Sequence, residues 1–138
     1  MSLPRALLRS AAWLAAPFAA LIAAGAASAA DPAPATPAEA EVQYILDFVR
    51  SSNCTFIRNG TDYTSPQAAD HLTMKAKHVG ARIKDGDTLI DMIASRSSMS
   101  GQPYYVQCPG RQRTESSTWL HGELDRYRAT LPHVAGKP

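Results

Sequence analysis

Apolar residues return at helical spacing in four stretches of the chain, and three shorter runs alternate or cluster as strands do. From Glu39 to Ser51, Val42, Ile45, Leu46 and Val49 share one helical face, with Phe48 beside them, and the polar run Ser51-Ser52-Asn53 ends the pattern. Cys54 to Arg58 and Thr61 to Tyr63 flank Asn59-Gly60, a pair that tolerates positive φ, so this segment predicts a tight β-hairpin. Thr64-Ser65-Pro66 opens a second helix, with Ser65 as its expected N-cap and Ala69, Leu72, Ala76, Val79 and Ile83 as its buried stripe. Asp87 is expected to cap a short third helix through Leu89, Ile90, Ile93 and Ala94. Ser95 to Gly101 is polar and reads as a loop, Pro103 to Cys108 as a strand, and Arg111 to Glu115 as a second loop. Ser117 is the expected cap of a last helix that turns Trp119, Leu120, Leu124 and Tyr127 one way.

Two cysteines, Cys54 and Cys108, flank these strands. A single structural disulfide is the reading preferred over a reactive thiol, because neither residue sits at a helix start, beside a histidine or in a C-x-x-C pair. Closing a loop of about 55 residues contributes roughly 4 kcal/mol on the chain-entropy model. If the bridge joins neighbouring antiparallel strands, the period of two places Phe56 opposite Val106 and Arg58 opposite Tyr104. The hairpin's first strand then lies between its Tyr63 partner and the late strand. The fold expected is a small single α+β domain: a three-stranded antiparallel sheet, one hairpin plus one late strand, packed with about four helices on one side.

The N-terminus changes the picture of where this domain works. Arg5 and Arg9 precede an apolar run from Ala11 to Ala24, and small residues end in Ala27-Ser28-Ala29, the order of a cleavable signal peptide over residues 1–29. The run is too short for a transmembrane helix and contains Pro17. A Pro/Ala-rich leader is expected over 30–38, the folded domain over 39–130 and a loose tail over 131–138. The location expected is periplasmic or secreted, with no membrane anchor after cleavage. The chain has 14 Lys plus Arg and 12 Asp plus Glu, and losing Arg5 and Arg9 leaves twelve of each sign. A near-neutral domain lacks the electrostatic footprint of nucleic-acid binding, and that class is set aside.

Several motifs, taken in order, resemble one known family. They are Phe56-Ile57-Arg58-Asn59-Gly60, His71-Leu72 with Lys75, Ile93-Ala94-Ser95 with Ser97-Ser98, and Ser100-Gly101 with Pro103-Tyr104, Val106 and Pro109-Gly110. Over residues 42 to 128 they look like the YfeK-like family of small exported proteobacterial proteins, a domain of unknown function. The resemblance implies a bacterial periplasmic protein and carries over no reaction, ligand or catalytic residue.

Candidate chemistry therefore rests on the residues alone. His71, Lys75 and His78 share one helix face, and with Arg58 they would form a cationic pocket for an acidic small molecule or a carboxylate-bearing wall fragment. The simpler account has His71 satisfying nearby backbone and Lys75 in water. The ligand-binding set expected is Arg58, Asn59, His71, Lys75, Ser97, Ser98 and Ser100, drawn from the hairpin tip, the second helix and the serine loop. No cofactor is called for. His71 and His78 lie about 10 Å apart along a helix axis, too far to share one zinc. A non-catalytic binding or interaction module, with an acidic small molecule, wall fragment or envelope protein as partner, is the favoured function. The alternative is a small hydrolase pairing His71 with a serine of the 97–100 loop, oriented by Asp70 or Asp91. That loop lacks the leading glycine of a nucleophile elbow.

Overall fold

A computed structural model describes residues 35–132; the expected signal peptide lies outside them, as does most of the expected leader and tail. The first helix, α1 (Pro37–Ser51), begins two residues before the expected Glu39. Thr36 and Glu39 cap each other's backbone N–H groups there, and Pro37 occupies the first turn. Ile45, Leu46 and Val49 are buried, as the spacing predicts.

The hairpin is β1 (Thr55–Arg58) and β2 (Thr61–Thr64), closed by Asn59 at φ 49° and Gly60 at φ 77°. Both left-handed angles suit a two-residue turn whose twist matches the strands. Without a linker the chain enters α2 (Ser65–Val79), whose cap is Thr64 and not the expected Ser65. Thr64 and Gln67 form the reciprocal capping pair, while Ser65 turns inward. The Ser65 hydroxyl accepts from the Cys54 N–H and donates to the Cys54 carbonyl, both at 2.9 Å. The helix stops at Val79, short of the expected Ile83, because Gly80 adopts φ 62° and starts a 3-10 turn, Gly80–Arg82. Ile83 still packs against the core from beyond that turn.

Asp85, not Asp87, caps α3 (Gly86–Leu89): its carboxylate accepts the Thr88 N–H at 2.8 Å, and the Thr88 hydroxyl accepts the Asp85 N–H at 3.0 Å. The helix continues as a π-helical turn, Ile90–Ala94. Two of its carbonyls take side-chain donors, Ile90 from the Ser95 hydroxyl at 2.7 Å and Ile93 from the Lys75 ammonium at 3.1 Å.

The sheet has four strands, not three. β3 (Tyr105–Gln107) is followed by β4 (Thr114–Glu115), inside the segment expected as a loop, and the antiparallel order is β2-β1-β3-β4. Two residues are too few to show alternation, so pairing with Val106 and Tyr105 alone makes this edge strand. Phe56 stands opposite Val106 and β1 lies between β2 and β3, the arrangement expected from the cysteines. Cys54 and Cys108 are bonded, with Cα atoms 4.2 Å apart. The last helix, α4 (Ser116–Thr130), follows β4 directly. Its cap position is Glu115, which makes no side-chain cap bond, and Ser117 is not the cap. The Ser116 N–H is instead taken by the Tyr104 carbonyl at 2.9 Å. Ile45, Val49, Leu89, Ile90, Ile93, Val106, Leu120 and Leu124 form the solvent-free centre between helices and sheet. Trp119 extends it, tilted on Phe48 and edge-on to Phe56.

Candidate functional site

Arg58 ends β1 two residues after the buried Phe56, so strand alternation sends its side chain to the helical face of the sheet. There one guanidinium nitrogen, Nη1, meets His71 Nε2 on α2, and the other, Nη2, donates to the Tyr63 hydroxyl at 3.1 Å. The guanidinium carbon lies 4.9 Å from the Tyr63 ring centroid. A guanidinium only donates, so His71 Nε2 accepts and the ring is neutral with its proton on Nδ1. Burial lowers the His71 pKa from 6.5, and the positive charges of Arg58 and then Lys75 lower it further. Lys75 lies one turn along the helix, its ammonium bonded to the Ile93 carbonyl and 5.5 Å from the Tyr104 ring centroid. Burial holds its pKa below the usual lysine value, and Arg58 adds to that. No carboxylate bonds Arg58 or Lys75 among the described residues.

Arg58 and His71 border a cleft of about 300 Å³ between the hairpin and α2, walled by Phe56, Tyr63, Leu72 and Tyr104. Asp70 also lines it and is paired with Arg50 at 2.6 Å, its side chain 70% exposed. Lys75 does not line the cleft but stands against the Tyr104 ring that does.

The other predicted residues lie elsewhere. The Ser100 hydroxyl donates to Asn59 Oδ1 at 2.8 Å, latching the serine loop to the hairpin tip. Ser97 is buried and holds its own turn, its hydroxyl accepting from the Met99 and Ser100 N–H groups at 3.4 and 3.3 Å. Ser98 and His78 are exposed. Arg58, His71 and Lys75 thus converge, Asn59 and Ser100 form a separate latch, and Ser97 closes a turn. No hydrogen bond joins His71 to Ser97, Ser98 or Ser100 among the described residues, and the two expected orienters are engaged, Asp70 by Arg50 and Asp91 by His121. Tyr63 and Tyr104 were absent from the sequence-based set. The hairpin register, which pairs Tyr63 with Phe56, is the signal that would have found the first.

A second polar cluster joins α1, α3 and α4. Arg128 holds Glu41 through two parallel bonds of 2.7 and 2.8 Å and Asp87 through a third of 2.7 Å. The guanidinium lowers the Glu41 pKa, and the two carboxylates raise that of Arg128. His121 lies between Asp87 and Asp91 at 3.1 and 2.8 Å. Among the described residues no group of three His, Cys, Asp or Glu side chains is placed to hold a metal ion.

These features define a small disulfide-clamped α+β domain with a largely apolar cleft in which no carboxylate bonds Arg58. The family model described as a family of unknown function, DUF5329, matches residues 36–128, and the chain belongs to that family. It is similar to the uncharacterized protein YfeK of Salmonella typhimurium, 34% identical over 67 residues, which are 48% of this chain and 56% of that protein. The match therefore spans little more than half of the relative's length. No solved structure matches.

Proposed function

We propose that this chain is a non-catalytic binding module of the bacterial periplasm whose cleft between hairpin and α2 takes an acidic ligand. The observation that carries this reading is Arg58. A guanidinium at the edge of a largely apolar cleft, facing a neutral imidazole and a phenol, is an anion site with its counter-charge missing. Lys75 adds a second positive charge behind the Tyr104 wall, and its partial burial strengthens its field. Pockets that hold small molecules combine apolar walls with a few placed polar groups in this way. The export pattern of residues 1–29 supports the location.

Two measurements test the proposal. Thermal denaturation of the purified protein against anionic metabolites and peptidoglycan fragments is expected to show a saturable rise in Tm with at least one acidic compound. A panel in which no anion shifts Tm or binds by calorimetry overturns the binding reading. Fractionation of cells is expected to release the protein with the periplasm, and recovery in the cytoplasm with residues 1–29 still attached overturns the location.

A further inference from the structure

We infer that the cleft selects a monocarboxylate carried on a compact apolar body, such as an aryl- or branched-alkyl alkanoic acid. The inference rests on the binding reading above and narrows its ligand.

The walls set the body. Phe56, Tyr63, Ala68, Leu72, Ala94 and Tyr104 line the space, so a ligand rich in hydroxyls or amides would lose its hydration against surfaces that return few hydrogen bonds. The volume of about 300 Å³ sits at the small end of ligand pockets, enough for a ring or a branched chain.

Arg58 sets the head group. Of its five N–H donors, two are directed at His71 and Tyr63, and both partners are uncharged. The Tyr63 oxygen accepts from Arg58 and keeps its own proton to donate. A carboxylate at this edge would receive a charge-assisted bond from the guanidinium and a second from the phenol. Lys75 is committed to the Ile93 carbonyl, so it contributes field and no second anchor.

Asp70 sets the number of charges. It lines the cleft with its side chain 70% exposed, which places a negative group at the mouth, and its partner Arg50, 2.6 Å away, does not line the cleft, so the carboxylate is the end of the pair that a ligand meets. A ligand whose second carboxylate points outward meets that charge. One carboxylate inward and no charge outward satisfies all three constraints.

The test is isothermal calorimetry on the purified, oxidised protein at pH 7 with 3-phenylpropionate, its alcohol 3-phenylpropanol, the diacid phenylsuccinate, and lactate. Phenylpropionate is expected to bind one site about tenfold or more tighter than each of the others; against the alcohol, that is the discrimination of one charge-assisted bond. Arg58→Gln is expected to abolish that preference over the alcohol, and Arg58→Lys, which keeps the charge but not the fork, to weaken it. Asp70→Asn, on an exposed side chain, is expected to narrow the gap between phenylsuccinate and phenylpropionate, and a gap of the same size overturns the limit of one charge. Lactate binding as tightly as phenylpropionate overturns the apolar body but leaves the anion site standing. Alcohol and acid binding alike overturns both the inference and the anion site. If none of the four binds while a wall fragment raises Tm, the inference fails and the broader reading survives.

Discussion

Arg58 and Arg128 are the same side chain in opposite company. Arg128 is stitched into Glu41 and Asp87 where α1, α3 and α4 meet, three of its donor directions answered by carboxylates. Arg58 reaches a similar depth at the hairpin and meets an imidazole and a phenol. The histidines repeat the contrast, His121 held between Asp87 and Asp91 and His71 between two cations. A cation matched by acids is part of the scaffold, whereas one left with neutral neighbours is free to answer to something from outside. The junction should therefore carry stability and the cleft should carry binding.

The largest expected effect tests the frame that both regions share. Replacing Cys54 and Cys108 with alanine is expected to lower unfolding free energy by about 4 kcal/mol, read from urea midpoints of the oxidised parent and the variant. Gly86→Ala strikes the junction alone. A Cβ there would lie 2.8 Å from both terminal carbons of Leu124 and 3.2 Å from Glu41 Cβ, so a loss of about 2 kcal/mol is expected from the same titration. Glu41→Gln removes the bidentate partner of Arg128, and because Arg128 is 36% exposed the expected loss is only about 1 kcal/mol. Arg58→Gln, the matching change at the cleft, is expected to alter stability by less than about 0.5 kcal/mol while anion binding disappears. A loss at Arg58 as large as at Glu41 would erase the contrast.

The smallest effect is a dependence on pH. The His71 pKa is depressed in the fold relative to 6.5, so the unfolded chain binds more protons just below that value. Stability from this group is full above pH 6.5 and declines as pH falls through the folded pKa. Urea midpoints between pH 7.5 and 5.5 are expected to fall less in His71→Gln than in the parent. A bound carboxylate opposes the positive field, so the His71 proton resonances are expected to titrate at higher pH with ligand than without.

Sequence reading reached the frame further than the details. Four helices and the Asn59-Gly60 hairpin follow from apolar spacing and turn chemistry, which are local, while the disulfide follows from two cysteines without a reactive context and the pairing of Phe56 with Val106 from that bridge and the strand period. What escaped was decided by neighbours distant in the chain. Thr114-Glu115 is a strand only because Tyr105 and Val106 lie beside it. Thr64 displaces Ser65 as cap because the Cys54 backbone claims the serine. Within the site, Arg58, His71 and Lys75 were legible from one helix face and one strand end. Ser97, Ser100 and Asn59 were not separable from them, since composition does not show that the Ser97 hydroxyl is spent on its own turn or that Ser100 and Asn59 are spent on each other.

The Ser65 hydroxyl leaves one further mark on the molecule. A single oxygen, answering both backbone groups of Cys54, sets where α2 begins and therefore how far its second turn stands from the sheet. Alanine would leave the Cys54 amide only its longer 3.4 Å bond to the Ser52 hydroxyl and take this donor from the carbonyl, and a bulkier side chain would push the helix away. The spacing between the sulfur bridge and His71 is thus gauged by one small group that never touches the cleft.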